Sequence, residues 1–91
     1  MPYNIKKYSY DKARLLGVEI KPSTNANKKI DVFKKGEKIA SIGALGYKDY
    51  PTYLEENKKL AEQKRSAYKA RHQKDRVIKD SNGFYADQIL W

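Results

Sequence analysis

The sequence predicts an α+β domain: a small antiparallel sheet of two or three strands, a short N-terminal helix, one long basic helix and a short C-terminal helix. Three observations predict it. Residues 29–42 alternate apolar and polar side chains around Lys35-Gly36, residues 58–79 contain neither glycine nor proline, and short runs near both ends carry helix start and stop signals. A chain of 91 residues forms one domain, 1–91. It buries about two thirds of its unfolded surface, which leaves a small core and little room for a large catalytic cleft.

In chain order, Ser9 is expected to cap a helix from Tyr10 to Leu16, with Gly17 placed where a left-handed residue ends it. Val18 and Ile20 then alternate with Glu19 and Lys21 until Pro22 stops the pairing, the pattern of a short edge strand. Residues 23–27 are a polar loop whose side chains can satisfy their own backbone. From Lys29 to Ile42, Ile30 and Val32 share one face and Asp31 and Phe33 the other, and the alternation returns through Ile39, Ala40, Ser41 and Ile42. That is a β-hairpin, with Gly36 free to take the positive φ of a tight turn. So small a sheet needs a helix over its apolar face.

Gly43, Gly46 and Pro51 punctuate the connector GALGYKDYPTY, which carries Tyr47, Tyr50 and Tyr53 at a spacing of three. These rings can wedge the long helix onto the sheet, stack unpaired bases or meet another subunit. The Gly-x-x-Gly run lacks the lysine and hydroxyl pair of a nucleotide-binding P-loop.

The long helix is expected to start at Pro51 or Thr52, with Glu55 and Glu56 in its first turn, and to run through Lys79. Residues 58–79 hold nine of the 20 Lys and Arg residues against Glu62 and Asp75, so 9 − 2 gives +7 of the chain's net +9. At about 100° per residue, Lys58, Arg65, Lys69 and Arg76 fall along one line about 27 Å long, with Leu60, Ala67 and Ile78 opposite. Charge runs are commonly solvated faces. Here only Glu62 interrupts the line, and too few i,i+4 partners are present to neutralise it, so a polyanion or an acidic protein surface would complete it.

Composition points the same way. A net charge of +9 favours a polyanionic partner such as nucleic acid. The absence of cysteine excludes disulfides, thiolate metal sites and thiol nucleophiles. No run is long and apolar enough for a secretory signal or a membrane span, so a soluble protein without a membrane partner is expected. His72 has neither a second imidazole nor a spaced nucleophile beside it, so hydrogen bonding or exposure is its expected use, and neither enzyme chemistry nor a cofactor or metal is expected. Near the C-terminus, Ser81-Asn82-Gly83 should break the chain before a short helix in FYADQILW, whose apolar end, Leu90-Trp91, belongs against the core or on a partner.

Three runs, LGVEIKPST, KIDVFKKGEKIASIGALGYKDYPTY and RSAYKARHQKDR with GFYADQILW, cover nearly the whole chain. In this order they resemble a group of small basic proteins encoded by large double-stranded DNA viruses of eukaryotes. The resemblance implies a virion component, present in host cytoplasm or nucleus during assembly, and brings no catalytic residues with it. Taken with the charge pattern, it leads to the expectation of a non-enzymatic virion-associated protein that binds nucleic acid, DNA first, without sequence specificity. Lys58, Arg65, Lys69, Arg71, Lys74 and Arg76 are the expected phosphate contacts, and Tyr47 and Tyr50 the stacking rings. The alternative is a minor capsid or cement protein that docks on a coat protein through its basic helix, Trp91 and Phe84. A homo-oligomer is compatible with either.

Overall fold

In the computed structural model, which describes residues 3–79 and 81–91, the predicted alternation becomes a hairpin of β2 (Lys28–Lys34) and β3 (Glu37–Ala44). Lys35 and Gly36 form its turn, both at positive φ (53° and 80°), the conformation that keeps a two-residue connection in step with strand twist. The edge strand β1 (Glu19–Pro22) pairs antiparallel with β2, giving the order β1-β2-β3. Between Val32 and Phe33 the register with β3 shifts, so that Val32 faces Ala40 and Phe33 faces Lys38. Ile39 is the extra residue of this bulge. It is left partly exposed, while Ile30, Val32, Ala40 and Ile42 line the buried face.

Helix α1 (Lys7–Leu16) and helix α4 (Asn82–Leu90) cover that face. Ala13, Val18, Ile20, Tyr85, Ile89 and Leu90 complete the core with Ile5. Gly17 ends α1 in the left-handed conformation, as its position implied. Ser9 does not cap α1. The helix begins two residues earlier, and Ser9 is buried within it, its hydroxyl donating to the Ile89 carbonyl at 3.0 Å. The Tyr8 hydroxyl donates to the Trp91 carbonyl at 3.3 Å. Carbonyls at the end of α4, which have no partner within the helix, are thus satisfied by α1.

The expected long helix is two helices. Helix α2 (Tyr50–Glu56) and helix α3 (Lys58–Arg71) meet at Asn57, whose backbone is extended. Its side-chain oxygen accepts from the Leu60 amide at 3.1 Å, while its own amide donates to the Tyr53 carbonyl at 2.8 Å. One asparagine therefore closes α2 and caps α3. Asp49 caps α2, accepting from the Thr52 amide at 3.1 Å. Beyond Arg71 the chain runs in turns to residue 79, and Ser81 caps α4 at the expected break. At Gly83, an added Cβ would stand 2.8–3.0 Å from Asp75, so only glycine lets the turns lie against the start of α4. Leu60, Ala67 and Ile78 are not the inner side of the helix either. Ala61 and Tyr68 are buried, whereas Ala67 is exposed and Ile78 is outside the helix and 57% exposed.

The sheet's other face holds a buried charge. Asp31 is 2% exposed and accepts from the Ser23 hydroxyl (2.6 Å), the Ser41 hydroxyl (2.7 Å) and the Thr24 amide (3.2 Å), with Lys38 at 3.7 Å. Burial alone would raise the Asp31 pKa. The hydrogen bonds from Ser23, Ser41 and Thr24 outweigh it, Lys38 adds to them, and the carboxyl is held below its ordinary value of 3.8. The sign follows: a carboxylate with a depressed folded pKa stabilises the fold above its unfolded value and loses that contribution as pH falls through the folded one. Urea midpoints followed from about pH 7 to about pH 2 should fall along an acid limb that flattens in Asp31→Asn. Ser23→Ala with Ser41→Ala should flatten the limb as well, because the folded pKa of Asp31 then moves up toward the unfolded one and the window between them narrows. An acid limb unchanged in Asp31→Asn would show that other carboxylates set it.

Candidate nucleic-acid interface

Where a helical residue points decides whether its charge is available. On α3 the stripe that faces inward contains Ala61, Arg65, Tyr68 and Lys69, spaced by three and four residues. Two members of the predicted basic line therefore point toward the rest of the fold. The Arg65 guanidinium lies 4.4 Å from the centroid of the Tyr50 ring. Lys69 Nζ is 2.7 Å from Asp87 Oδ1, and Asp87, on α4, is 1% exposed. Arg76 joins the same carboxylate at 4.0 Å and donates from Nε to the Lys69 carbonyl at 3.4 Å. A continuous helix would set Arg76 about 10 Å beyond Lys69 along its axis. Turning the chain after Arg71 folds Arg76 back onto Asp87. The line of charge on the helix is accordingly about 20 Å rather than about 27 Å long.

Lys12 of α1 faces the same cluster. Its ammonium pKa is lowered, first by burial and then by Arg65 and Lys69, with Asp87 opposing. Asp87 is the counter-ion around which these cations gather.

Tyr50, expected as a stacking ring, is 6% exposed. Its hydroxyl donates to Glu62 Oε1 at 2.7 Å, and its ring packs 5.2 Å from that of Tyr8. Its hydroxyl pKa is raised, mainly by the bond to Glu62. This tyrosine serves packing. Phe84 is half-buried against the core, 5.3 Å from Tyr85. The Trp91 ring lies 4.4 Å from Tyr68 at an interplanar angle of 7°, and 6.4 Å from Tyr53. His72 stacks on Tyr68 at 4.3 Å, with Nδ1 3.7 Å from Asp75. Among the described residues no group of three or more His, Cys, Asp or Glu is placed to hold a metal ion, and no helix is long and apolar enough to cross a membrane.

The remaining cations have a different setting. Lys58, Lys59, Lys64, Arg71, Lys74 and Lys79 meet no carboxylate among the described residues. Lys64 and Arg71 border a groove of about 600 Å³ between the β3–α2 loop, α2, α3 and the end of α4. Trp91, Tyr68 and Tyr53 supply its aromatic lining, and Tyr47, 75% exposed, stands at its edge. Lys48 and Lys64 lie 5.8 and 5.9 Å from the Tyr53 ring centroid. Lys48 also pairs with Glu56 at 2.8 Å. No Asp or Glu side chain lines the groove among the described residues. Beneath it, Gly43 has φ 76°, and a Cβ there would stand 2.7 Å from Leu90 and 2.9 Å from Lys29, so the sheet and α4 close the groove's base only because this residue is glycine. Lys29 itself is committed, pairing with buried Asp49 at 3.1 Å and donating to the Tyr47 carbonyl.

No family model, curated protein or solved structure matches this chain. The reading of the site rests on its own geometry. The structure brings the predicted Tyr47, Arg71 and Trp91 to one groove and leaves Lys58 and Lys74 exposed outside it. It turns Arg65, Lys69, Arg76 and Tyr50 to internal contacts. Lys64, Tyr68 and Asp87 were not singled out from sequence. Asp87 carried a usable signal, since a lone acid between Tyr85 and Ile89 in an apolar helix has to be paired if it is buried.

Removing Lys69 leaves buried Asp87 with only the more distant Arg76 at 4.0 Å. Lys69→Met should cost about 3–5 kcal/mol of unfolding free energy in urea, whereas exposed Arg71→Ala should stay within about 0.5 kcal/mol. Lys69→Met with Asp87→Leu should recover more than half of the loss, because an apolar pair removes the stranded charge. A Lys69→Met cost below about 1 kcal/mol would mean that Asp87 does not organise the cluster.

Proposed function

We propose that this protein binds nucleic acid without sequence specificity and without catalysis, through the exposed cations of α3 and the turns that follow it. The observation that supports the reading is the division of the basic residues. Lys69 and Arg76 are paired with Asp87, yet Lys58, Lys59, Lys64, Arg71 and Lys74 meet no carboxylate among the described residues and stand on one helix and its extension. A cluster of unpaired cations of this kind attracts phosphates at long range and gains affinity by releasing condensed counterions. It offers contacts to the backbone, which position a strand but do not read its sequence.

The coat-protein alternative depends on Trp91 and Phe84 as docking anchors. Phe84 packs against the core and lies outside the groove, which weakens that alternative relative to phosphate binding. A virion, the setting implied by the viral resemblance, is compatible with a small basic protein of this kind.

Fluorescence anisotropy with unrelated DNA sequences at a series of salt concentrations tests the proposal. Affinity should be similar for all sequences and should fall steeply between about 50 and 200 mM salt. For a single strand, Lys64→Ala with Arg71→Ala should reduce the log–log salt slope by about 1.4, or about 0.7 for each phosphate that is no longer neutralised. Lys69→Met, if folded at the assay temperature, should leave the slope unchanged. Absence of binding at the lowest salt would refute the proposal.

A further inference from the structure

Backbone binding does not use the groove's rings. We infer that the groove receives an unpaired base, so that the preferred ligand is single-stranded nucleic acid, with one base against the Trp91–Tyr53–Tyr47 surface and its flanking phosphates on Lys64 and Arg71. This deepens the phosphate reading and rests on it.

Four features carry the inference. The space, about 600 Å³, falls within the range of about 300–1,000 Å³ that suits small organic groups. Its lining combines aromatic rings with cations and, among the described residues, contains no Asp or Glu side chain, which matches a ligand that is aromatic in one part and anionic in another. Tyr47 is a large ring left 75% exposed at the edge, although its backbone is anchored by Lys29. The Trp91 and Tyr68 rings are held in a parallel stack before any ligand arrives, so little ordering is needed on binding. A paired base cannot enter without leaving its own stack and partner, an unfavourable step that an unpaired strand largely avoids.

Trp91 is the chain's one tryptophan, so its emission reports on the groove alone. The experiment titrates the full chain with single-stranded DNA and single-stranded RNA oligomers of equal length, the matching DNA duplex and an abasic DNA strand, following both anisotropy and Trp91 emission. Either single strand should quench Trp91 and bind at least about tenfold more tightly than the duplex, a difference of about 1.4 kcal/mol. The abasic strand keeps the phosphates and should bind without quenching. Tyr47→Ala, at an exposed position, should weaken single-strand binding severalfold and leave duplex binding as it was. If single strand, duplex and abasic strand bind alike with Trp91 emission unchanged, the base-in-groove inference is overturned and phosphate binding survives. If no oligomer binds at low salt, the phosphate reading fails, and the inference with it.

Discussion

The buried carboxylate of Asp87 governs how the basic residues of α3 and the turns after it are used. At 1% exposure it would be strongly disfavoured as a charge without partners, and Lys69 at 2.7 Å and Arg76 at 4.0 Å supply them. The consequences spread outward along the backbone. Lys69 ties α3 to α4, although α3 lies outside the main apolar cluster. Arg76 can share the same carboxylate only because the chain turns after Arg71, and Gly83 admits the turn against the start of α4. Once the inward cations are satisfied in this way, the others are left facing solvent. The cations that remain are fewer than a count of charges suggests, and of these Lys64 and Arg71 border the groove.

Apolar packing fixes the other wall of the groove. The sheet's buried face, α1 and α4 make the core, and the hydroxyls of Ser9 and Tyr8 hold the end of α4 through its carbonyls. That seating delivers Trp91 onto Tyr68. Gly43, at positive φ and directly against Leu90, lets the strand and helix approach closely enough to form the base of the groove. An aromatic surface next to unneutralised cations is therefore a product of three constraints: a hydrogen-bonded helix end, a glycine contact and a buried ion pair.

Local signals in the sequence were enough for much of this fold. The period-two runs and Lys35-Gly36 located the hairpin, Gly17 located the end of α1, and Ser81 the start of α4, because turn and cap chemistry acts over a few residues. The break at Asn57 was also legible in principle, since asparagine is a preferred cap, but the helix-forming residues on both sides masked it. Ser9 looked like a cap and instead donates to a carbonyl 80 residues away, a contact that no local pattern announces. The same limitation applied to the site. Periodicity can place Arg65, Lys69 and Tyr50 on a face, but whether that face meets Asp87, Glu62 or solvent depends on how distant helices pack.

The central claim is that Asp87 separates internal cations from those left open to the proposed polyanion. Lysine-reactivity footprinting by mass spectrometry, with and without a single-stranded oligonucleotide, tests it most directly. Lys64 should react freely in the unliganded protein and be protected in the complex, Lys69 should react slowly in both states, and Lys34 and Lys35 at the hairpin should react in both. Fast labelling of Lys69 in the free protein, or protection centred on Lys34 and Lys35 rather than on Lys64, would contradict the account.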